Sequence, residues 1–291
     1  MKLKTKFNLV LSSVFIVGLA IAGYISHTVL HNNAKDEVIT HAGMMMEAAL
    51  AIRGYTVREI RPLLESQLEK KFLPQSVPSY AATQNFNDLR KNNPEYHYKE
   101  ATLNPTNPRD QATDWESDII REFRDNQERK TIIGERDTPT GKTLYYARPI
   151  KIKNKACLTC HSTASAAPKT MIDLYGSANG FGWKHNEVVG SQIVSVPLSV
   201  PTEKANHAFM IFMSSLVAIF LIIFILLNIM LKKVVIQPVQ KISQIAEEIS
   251  RGNSSVEQFE HKGDDEISDL SNSFNRMRIS LEKAMKMLGD E

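Results

Sequence analysis

The run Ala208–Leu231 restricts this chain most, because it carries no charged residue until Lys232-Lys233. As a helix it is long enough to cross a hydrocarbon core of about 30 Å. A second apolar run, Phe7–Leu30, follows the basic start Met1-Lys2-Leu3-Lys4-Thr5-Lys6 and is also long enough. Within it, Ala20-Ile21-Ala22 resembles the small-residue cleavage site of a signal peptide. The apolar stretch outlasts a typical signal core, which favours an uncleaved span. Lysines flank the same side of both runs, so the positive-inside tendency places both termini in the cytoplasm and the intervening segment outside. The expected order is cytoplasmic residues 1–6, a first span 7–30 and an extracytoplasmic domain 31–207. A second span 208–231, a cytoplasmic module 232–288 and a tail 289–291 follow. A net charge of +3 is too small to imply nucleic-acid binding, and no basic-aromatic patch adds to it.

Cys157-Leu158-Thr159-Cys160-His161 lies in the external segment and contains both cysteines of the 291-residue chain. Two thiols three positions apart can each add across a haem vinyl group, and the adjacent histidine can turn its imidazole under the iron. A zinc site would need a second Cys/His pair at similar spacing, and none is evident. A redox CxxC pair would not call for the trailing histidine. Haem c, one per chain and covalent, is therefore the expected cofactor, with Cys157 and Cys160 attaching it and His161 as axial ligand. The extracytoplasmic placement agrees, since c-type haem is attached outside the inner membrane.

After the second span, apolar residues recur in three-four spacing at Val235, Val239, Ile242, Ala246 and Ile249, and Arg251-Gly252-Asn253 breaks the helix. A second series, Ile267, Leu270, Phe274, Met277, Leu281, Ala284 and Leu288, makes a heptad seam. Neither stripe can be hidden by so short a segment alone; two helices from each of two chains would form a four-helix bundle. Pro238 near the first helix start, Gly252 after its end, Asp265-Glu266-Ile267 and Phe274-Asn275-Arg276-Met277 resemble a HAMP domain. That resemblance implies a parallel homodimeric relay, the alternative being a plain dimerising coiled coil. The sequence ends three residues beyond Leu288, so either output is expected from a separate cytoplasmic partner of kinase or cyclase type, or the bundle serves only for assembly.

The external segment suffices for one globular domain. A long helix is expected from Ala34 to about Lys71, kinked or ended by Pro62, then a turn over 73–78 and a short helix Ser79–Arg90. Residues 103–108 are too proline-rich for regular structure, whereas Asp114–Gln127 has helical spacing. Thr143–Ile152, bounded by Thr140-Gly141, and Gln192–Leu198 read as strands. The expected fold is α+β: a small antiparallel sheet with helices running into both spans.

Several ordered segments then resemble a c-type haem sensor family with a PAS-like fold, found outside the membrane in bacterial signalling proteins. They are Ile52-Arg53-Gly54-Tyr55-Thr56, Pro62-Leu63-Leu64, Phe72–Pro78, Leu103–Pro108 and Trp115-Glu116. Tyr146–Ile150, the CxxCH itself, Gly180-Phe181-Gly182-Trp183-Lys184 and Val189-Gly190 complete the set. The resemblance implies a PAS-like sheet, a two-pass protein of the bacterial inner membrane, and sensing of redox state or a small ligand. It also implies a sixth iron ligand from the first helix, a role a cysteine fills in the family. No third cysteine exists here, so Met46 is the candidate, with Met44, Met45, His41, His97 or a vacant position as alternatives. Arg53 is a candidate propionate partner, or else pairs with Glu116 or another acid. Tyr55, Arg148 and Trp183 are candidate haem neighbours, ordinary core packing being their alternative. Asn104 and Asn107 read as turn formers. The sequence thus supports a non-enzymatic sensor; a membrane-anchored monohaem electron-transfer cytochrome is the alternative, and no acid/base set near the CxxCH supports a peroxidase.

Overall fold

The structure is a computed structural model that describes residues 1–139, 141–253, 259–260 and 263–289. Thr140, part of the connector between the last two helices and the last two residues lie outside this set, as do the side chains of Met285, Lys286 and Leu288. The chain divides into two compact units, Thr28–Ala208, and Met1–His27 with Phe209–Glu291.

Helix α1 (Leu3–Tyr55), which lies in the first unit from Thr28 onward, runs through a π turn (Thr56–Ile60) into α2 (Arg61–Leu68). Pro62 neither kinks nor ends the run: the turn before it widens. Its nitrogen has no proton to donate and its ring crowds the carbonyl four residues back, so an extra residue in the preceding turn relieves both problems. The Arg61 N–H accordingly bonds the Thr56 carbonyl, five residues back. Helix α3 (Pro78–Asn92) starts on a proline, whose missing N–H would be unsatisfied there anyway. Helix α4 (Asp114–Asp125) is tied at its start by Glu116, whose carboxylate accepts the Thr113 N–H at 2.8 Å.

Among the described residues, four strands form one antiparallel sheet in the order β1-β4-β3-β2. They are β1 (His97–Thr102), β2 (Ile132–Thr138), β3 (Gly141–Lys151) and β4 (Val188–Pro197). Strand β4 sits inside the sheet, pairing Tyr98 with Val194 on one side and Ala147 with Ile193 on the other. Alternation along the strands sends neighbouring residues to opposite faces. Tyr98, Leu144, Val194 and Val196 pack with Val38, Ala42, Met46 and Ala49 of α1 and Ala82 and Phe86 of α3. Ala101, Ile132, Ala147 and Ile193 pack with Ile119, Ile120 and Phe123 of α4. Each fully buried aliphatic or aromatic side chain stabilises the fold by about 1.5–3 kcal/mol, which fixes α1 to one face and α4 to the other.

Strands β3 and β4 are paired neighbours, yet residues 152–187 lie between them. The neck of this excursion is closed by Ile152 N–H to the Glu187 carbonyl and Asn186 N–H to the Ile152 carbonyl, both 2.9 Å. The CxxCH lies inside it, with the short helices α5 (Leu158–His161) and α6 (Lys169–Tyr175).

In the second unit, α7 (Ser199–Met230) passes through another π turn (Leu231–Ile236) into α8 (Gln237–Ser250). Pro238 repeats the effect of Pro62, and the Gln237 N–H bonds the Lys232 carbonyl five back. The helical runs Leu3–Leu68 and Ser199–Ser250 are long and apolar enough to cross a membrane, and no residue of their apolar windows is buried. Helix α9 (Glu266–Gly289) is capped by Asp265, whose Oδ1 accepts the Ser268 N–H at 2.8 Å. Ile242 and Ile245 of α8 cluster with Phe274 of α9 and Phe259 of the connector. The Phe259 carbonyl accepts from Ser271 Oγ and Asn275 Nδ2, each at 2.8 Å, pinning the connector to α9. Val239, Leu270, Met277 and Leu281, members of the two stripes, stay exposed.

Candidate functional site

The CxxCH is built on two tight turns. Asn154 caps the first, its Oδ1 accepting the Ala156 N–H at 2.9 Å, while its carbonyl accepts the Cys157 N–H at 3.1 Å. Helix α5 then advances the chain from Leu158 to His161, so Cys160 follows Cys157 by about one helical turn. Both thiols are free and half-buried. Burial pushes the Cys160 thiol up, Arg61 opposes that, and Cys157 adds to it.

The imidazole of His161 is held on two sides. Its Nδ1 lies 2.7 Å from the Gly180 carbonyl, and the Thr106 hydroxyl is 3.5 Å from the same nitrogen. A carbonyl only accepts, so Nδ1 carries the proton and the Nε2 lone pair is left for a metal. Trp183 covers one face of the ring with its indole, and the Trp183 backbone N–H donates to the His161 carbonyl at 3.1 Å. Burial pushes the His161 pKa below its ordinary value, and the Gly180 hydrogen bond only partly opposes this. The neutral, ligand-ready form is favoured.

Gly180 is in turn clamped by Asn104, whose Oδ1 accepts the Gly180 N–H at 3.0 Å and whose Nδ2 donates to the Phe181 carbonyl at 3.2 Å. The sequence read Asn104 only as a turn former; its side chain bridges to a loop 76 residues away. Its position beside Pro105, in a segment without regular structure, gave no sign of that reach.

Of the residues named from the sequence, Cys157, Cys160, His161 and Trp183 come together. The Arg53 guanidinium is engaged by the carboxylate of Glu100. Glu116, the acid named for it, pairs instead with Lys99 at 2.7 Å. Arg148 pairs with Glu47 of α1 at 2.8 Å. Tyr55 is exposed, as is Met44, and Met46 lies wholly buried among the apolar residues between α1 and the sheet. Met45 packs half-buried against that cluster. His41 is half-buried, and His97 is exposed at the start of β1.

The donors fit a covalently attached haem: two free thiols one turn apart, and an imidazole whose outer nitrogen bears no proton. Among the described residues, no group of three or more His, Cys, Asp or Glu could hold a metal ion.

Comparison with known proteins assigns a family to each part of the chain. A family model described as Tll0287-like (Tll0287) matches residues 31–197, and a HAMP domain model matches residues 230–283. Among solved structures, the chain is similar to the cyanobacterial heme-protein Tll0287 at 16% sequence identity and a TM-score of 0.44. That match covers 55% of this chain and 95% of the other. No curated protein matches the chain. With more than half of its length matched, the chain belongs to the Tll0287-like family, and it joins that domain to a HAMP domain.

Proposed function

We propose that the protein is a membrane-bound sensor whose extracytoplasmic domain carries one covalent haem c and whose HAMP module relays the state of that site. The observation that carries the reading is the His161 cradle: Nδ1 fixed on the Gly180 carbonyl, Trp183 on the ring face, and both thiols within the preceding turn. When bound, the haem supplies an iron centre that changes oxidation state or ligation. Cys157 and Cys160 would hold it covalently, and His161 would offer its Nε2 lone pair to the iron. Tll0287, which gives the family its name, is a heme-protein, and this supports the cofactor.

Relay is carried by α1, which packs on the sheet of the sensor domain and is continuous with the first apolar run. In the HAMP module the exposed Val239, Leu270, Met277 and Leu281 form the seam that a second copy buries, so the working unit is a homodimer. Its two packings bias a cytoplasmic partner of kinase or cyclase type. The setting is the bacterial inner membrane, with the haem domain outside and the HAMP helices in the cytoplasm.

The test is expression of the full chain with haem-maturation machinery, then denaturing electrophoresis stained for haem. Wild type should retain its haem through denaturation, and Cys157→Ala with Cys160→Ala should lose it. A wild-type chain without covalent haem would sink the reading.

A further inference from the structure

Helix α1 carries a second apolar stripe besides the one that packs on the sheet. Val38, Ala42, Met46 and Ala49 are buried in the core on one side. On the opposite side Met44, Ala48, Ala51 and Tyr55 are exposed, Met44 by 57% and Tyr55 by 55%. Their intervals of four, three and four residues place them within about 60° of one another around the helix. That is the d-a-d-a spacing of a coiled-coil seam. The stripe is bounded: Glu37 and Thr40 precede it on that side, and Arg58 and Glu59 follow it, all exposed as on a solvated helix. Single exposed apolar residues are ordinary, whereas an aligned set between polar ends marks a contact. Lipid does not reach it. Leu30 ends the first apolar run, and Met44 and Tyr55 lie about 21 Å and about 37 Å further along the same unbroken helix. The headgroup layer beyond the hydrocarbon is only about 5–8 Å deep.

We infer that Met44, Ala48, Ala51 and Tyr55 are the surface on which the α1 helices of two copies of this chain pack in parallel. This rests on the homodimer reading above and adds a second contact to it. The occupant follows from continuity with the HAMP module, where α9 exposes Leu270, Met277 and Leu281 at the same kind of spacing. One parallel copy covers both seams. In such a two-fold pair each residue meets its own counterpart. Ala48 and Ala51 let the two backbones approach closely, and Met44 and Tyr55 close the ends of the seam. Two heptads bury far less than the roughly 1,200 Å² of a stable interface, so the contact does not form by itself. Once the HAMP seam joins the copies, the two stripes meet at an effective concentration on the order of millimolar, and a weak contact suffices. Helix α1 is then gripped between its own sheet and the α1 of the second copy. A shift of α1 on the sheet therefore changes the packing between copies.

The experiment uses the full haem-loaded chain in the membranes of the expressing cell, with one residue replaced by a photocrosslinking side chain. Tyr55→p-benzoylphenylalanine probes the α1 seam, and Leu270→p-benzoylphenylalanine probes the HAMP seam independently. Irradiation should give a covalent dimer from each, with the Tyr55 adduct mapping by mass spectrometry to residues 44–59 of a second copy. Ala51→Glu sets two carboxylates against each other in the seam and should lower the Tyr55 yield roughly tenfold, leaving the Leu270 yield within about twofold. Ala48→Arg, also at an exposed position, should do the same and decides the matter if the first variant does not fold. A dimer from Leu270 with none from Tyr55 overturns the inference and leaves the homodimer standing. A Tyr55 adduct with lipid or with another protein, or a Tyr55 yield indifferent to both variants, overturns it in the same way. No dimer from either position overturns the homodimer reading itself, so the two failures are distinguishable.

Discussion

The indole of Trp183 lies flat on the imidazole of His161, with ring centroids 4.0 Å apart and planes 14° from parallel. The backbones of the same two residues are joined by a hydrogen bond, so ring and chain are fixed together. The stack limits rotation of the imidazole about the bond it would make to iron. An aromatic pair contributes about 0.5–1.5 kcal/mol beyond its buried area, so Trp183→Ala should destabilise the domain by roughly 1–3 kcal/mol. Haem should stay covalently attached, because both thiols remain. The electron paramagnetic resonance spectrum should broaden as the imidazole samples more orientations. An unchanged spectrum would mean that Gly180 alone sets the ring plane.

Gly180 and Gly182 separate two reasons for glycine in one loop. Both have positive φ, +87° and +79°. A Cβ on Gly180 would stand 2.0 Å from the Thr106 hydroxyl oxygen and 2.8 Å from its Cα, whereas one on Gly182 meets nothing within 4 Å. Gly182→Ala therefore carries only the backbone strain, about 1 kcal/mol. Gly180→Ala adds a clash with backbone and should cost more than about 3 kcal/mol and release the His161 hydrogen bond. Thermal melts of the two variants, compared side by side, check the difference.

A haem-free chain, Cys157→Ser with Cys160→Ser, should show the protonation behaviour of His161. Burial lowers its folded pKa below the ordinary 6.5, with the Gly180 carbonyl opposing. The unfolded chain then binds a proton that the folded one refuses. The stabilisation is complete above about pH 6.5 and is lost as pH falls towards the folded pKa. Denaturant melts between pH 5 and pH 8 should show this slope, and it should shrink when His161→Gln is added. Equal slopes with and without His161 would assign the pH dependence elsewhere.

The elements that carry the site were legible in unequal measure. The CxxCH needs only spacing, and α8 and α9 announce themselves through a three-four stripe that ends at Gly252, whose φ is +88°, and a heptad stripe beyond it. Strands β1 and β2 were not anticipated. His97–Thr102 contains Lys99 and Glu100, and Ile132–Thr138 contains Gly134, Glu135, Arg136 and Asp137; as edge strands they bond a partner on one side only and tolerate such residues. The same strand hid Glu100. A buried acid looks like a solvated one until its partner, 47 residues earlier, is placed beside it. Pro62 was read for what a proline forbids, and the structure shows how the preceding turn accommodates it.

Met46, the thioether named from the sequence for the iron's second axial position, is wholly buried among Val38, Ala42, Ala49, Leu144 and Val194 of its cluster. In that setting a flexible apolar side chain fills space. Met46→Leu conserves volume and should change stability by less than about 1.5 kcal/mol, and Met46→Ala should cost about 2–5 kcal/mol. The absorption spectrum of the leucine variant is expected to match wild type. Conversion from low-spin to high-spin would instead assign the sulfur to the iron.

Pro62 and Pro238 are each preceded by a π turn that ends two residues before the proline. The shared cause is steric, so removing the ring should remove the effect. In Pro238→Ala a restored N–H can bond the Val234 carbonyl, and the turn can close to the ordinary four-residue spacing. Closing it takes one residue out of the turn and rotates the α8 stripe by about 100° relative to α7. Ile242 and Ile245 would then no longer meet Phe274 in the phase that α7 sets. Amide exchange across Leu231–Ile236 should slow by roughly tenfold, the equivalent of one added helical hydrogen bond at about 1.4 kcal/mol. Pro62→Ala should slow exchange across Thr56–Ile60 in the same way with haem attachment intact. If exchange is unchanged in both variants, the π turns are held by their own packing and the prolines merely sit after them.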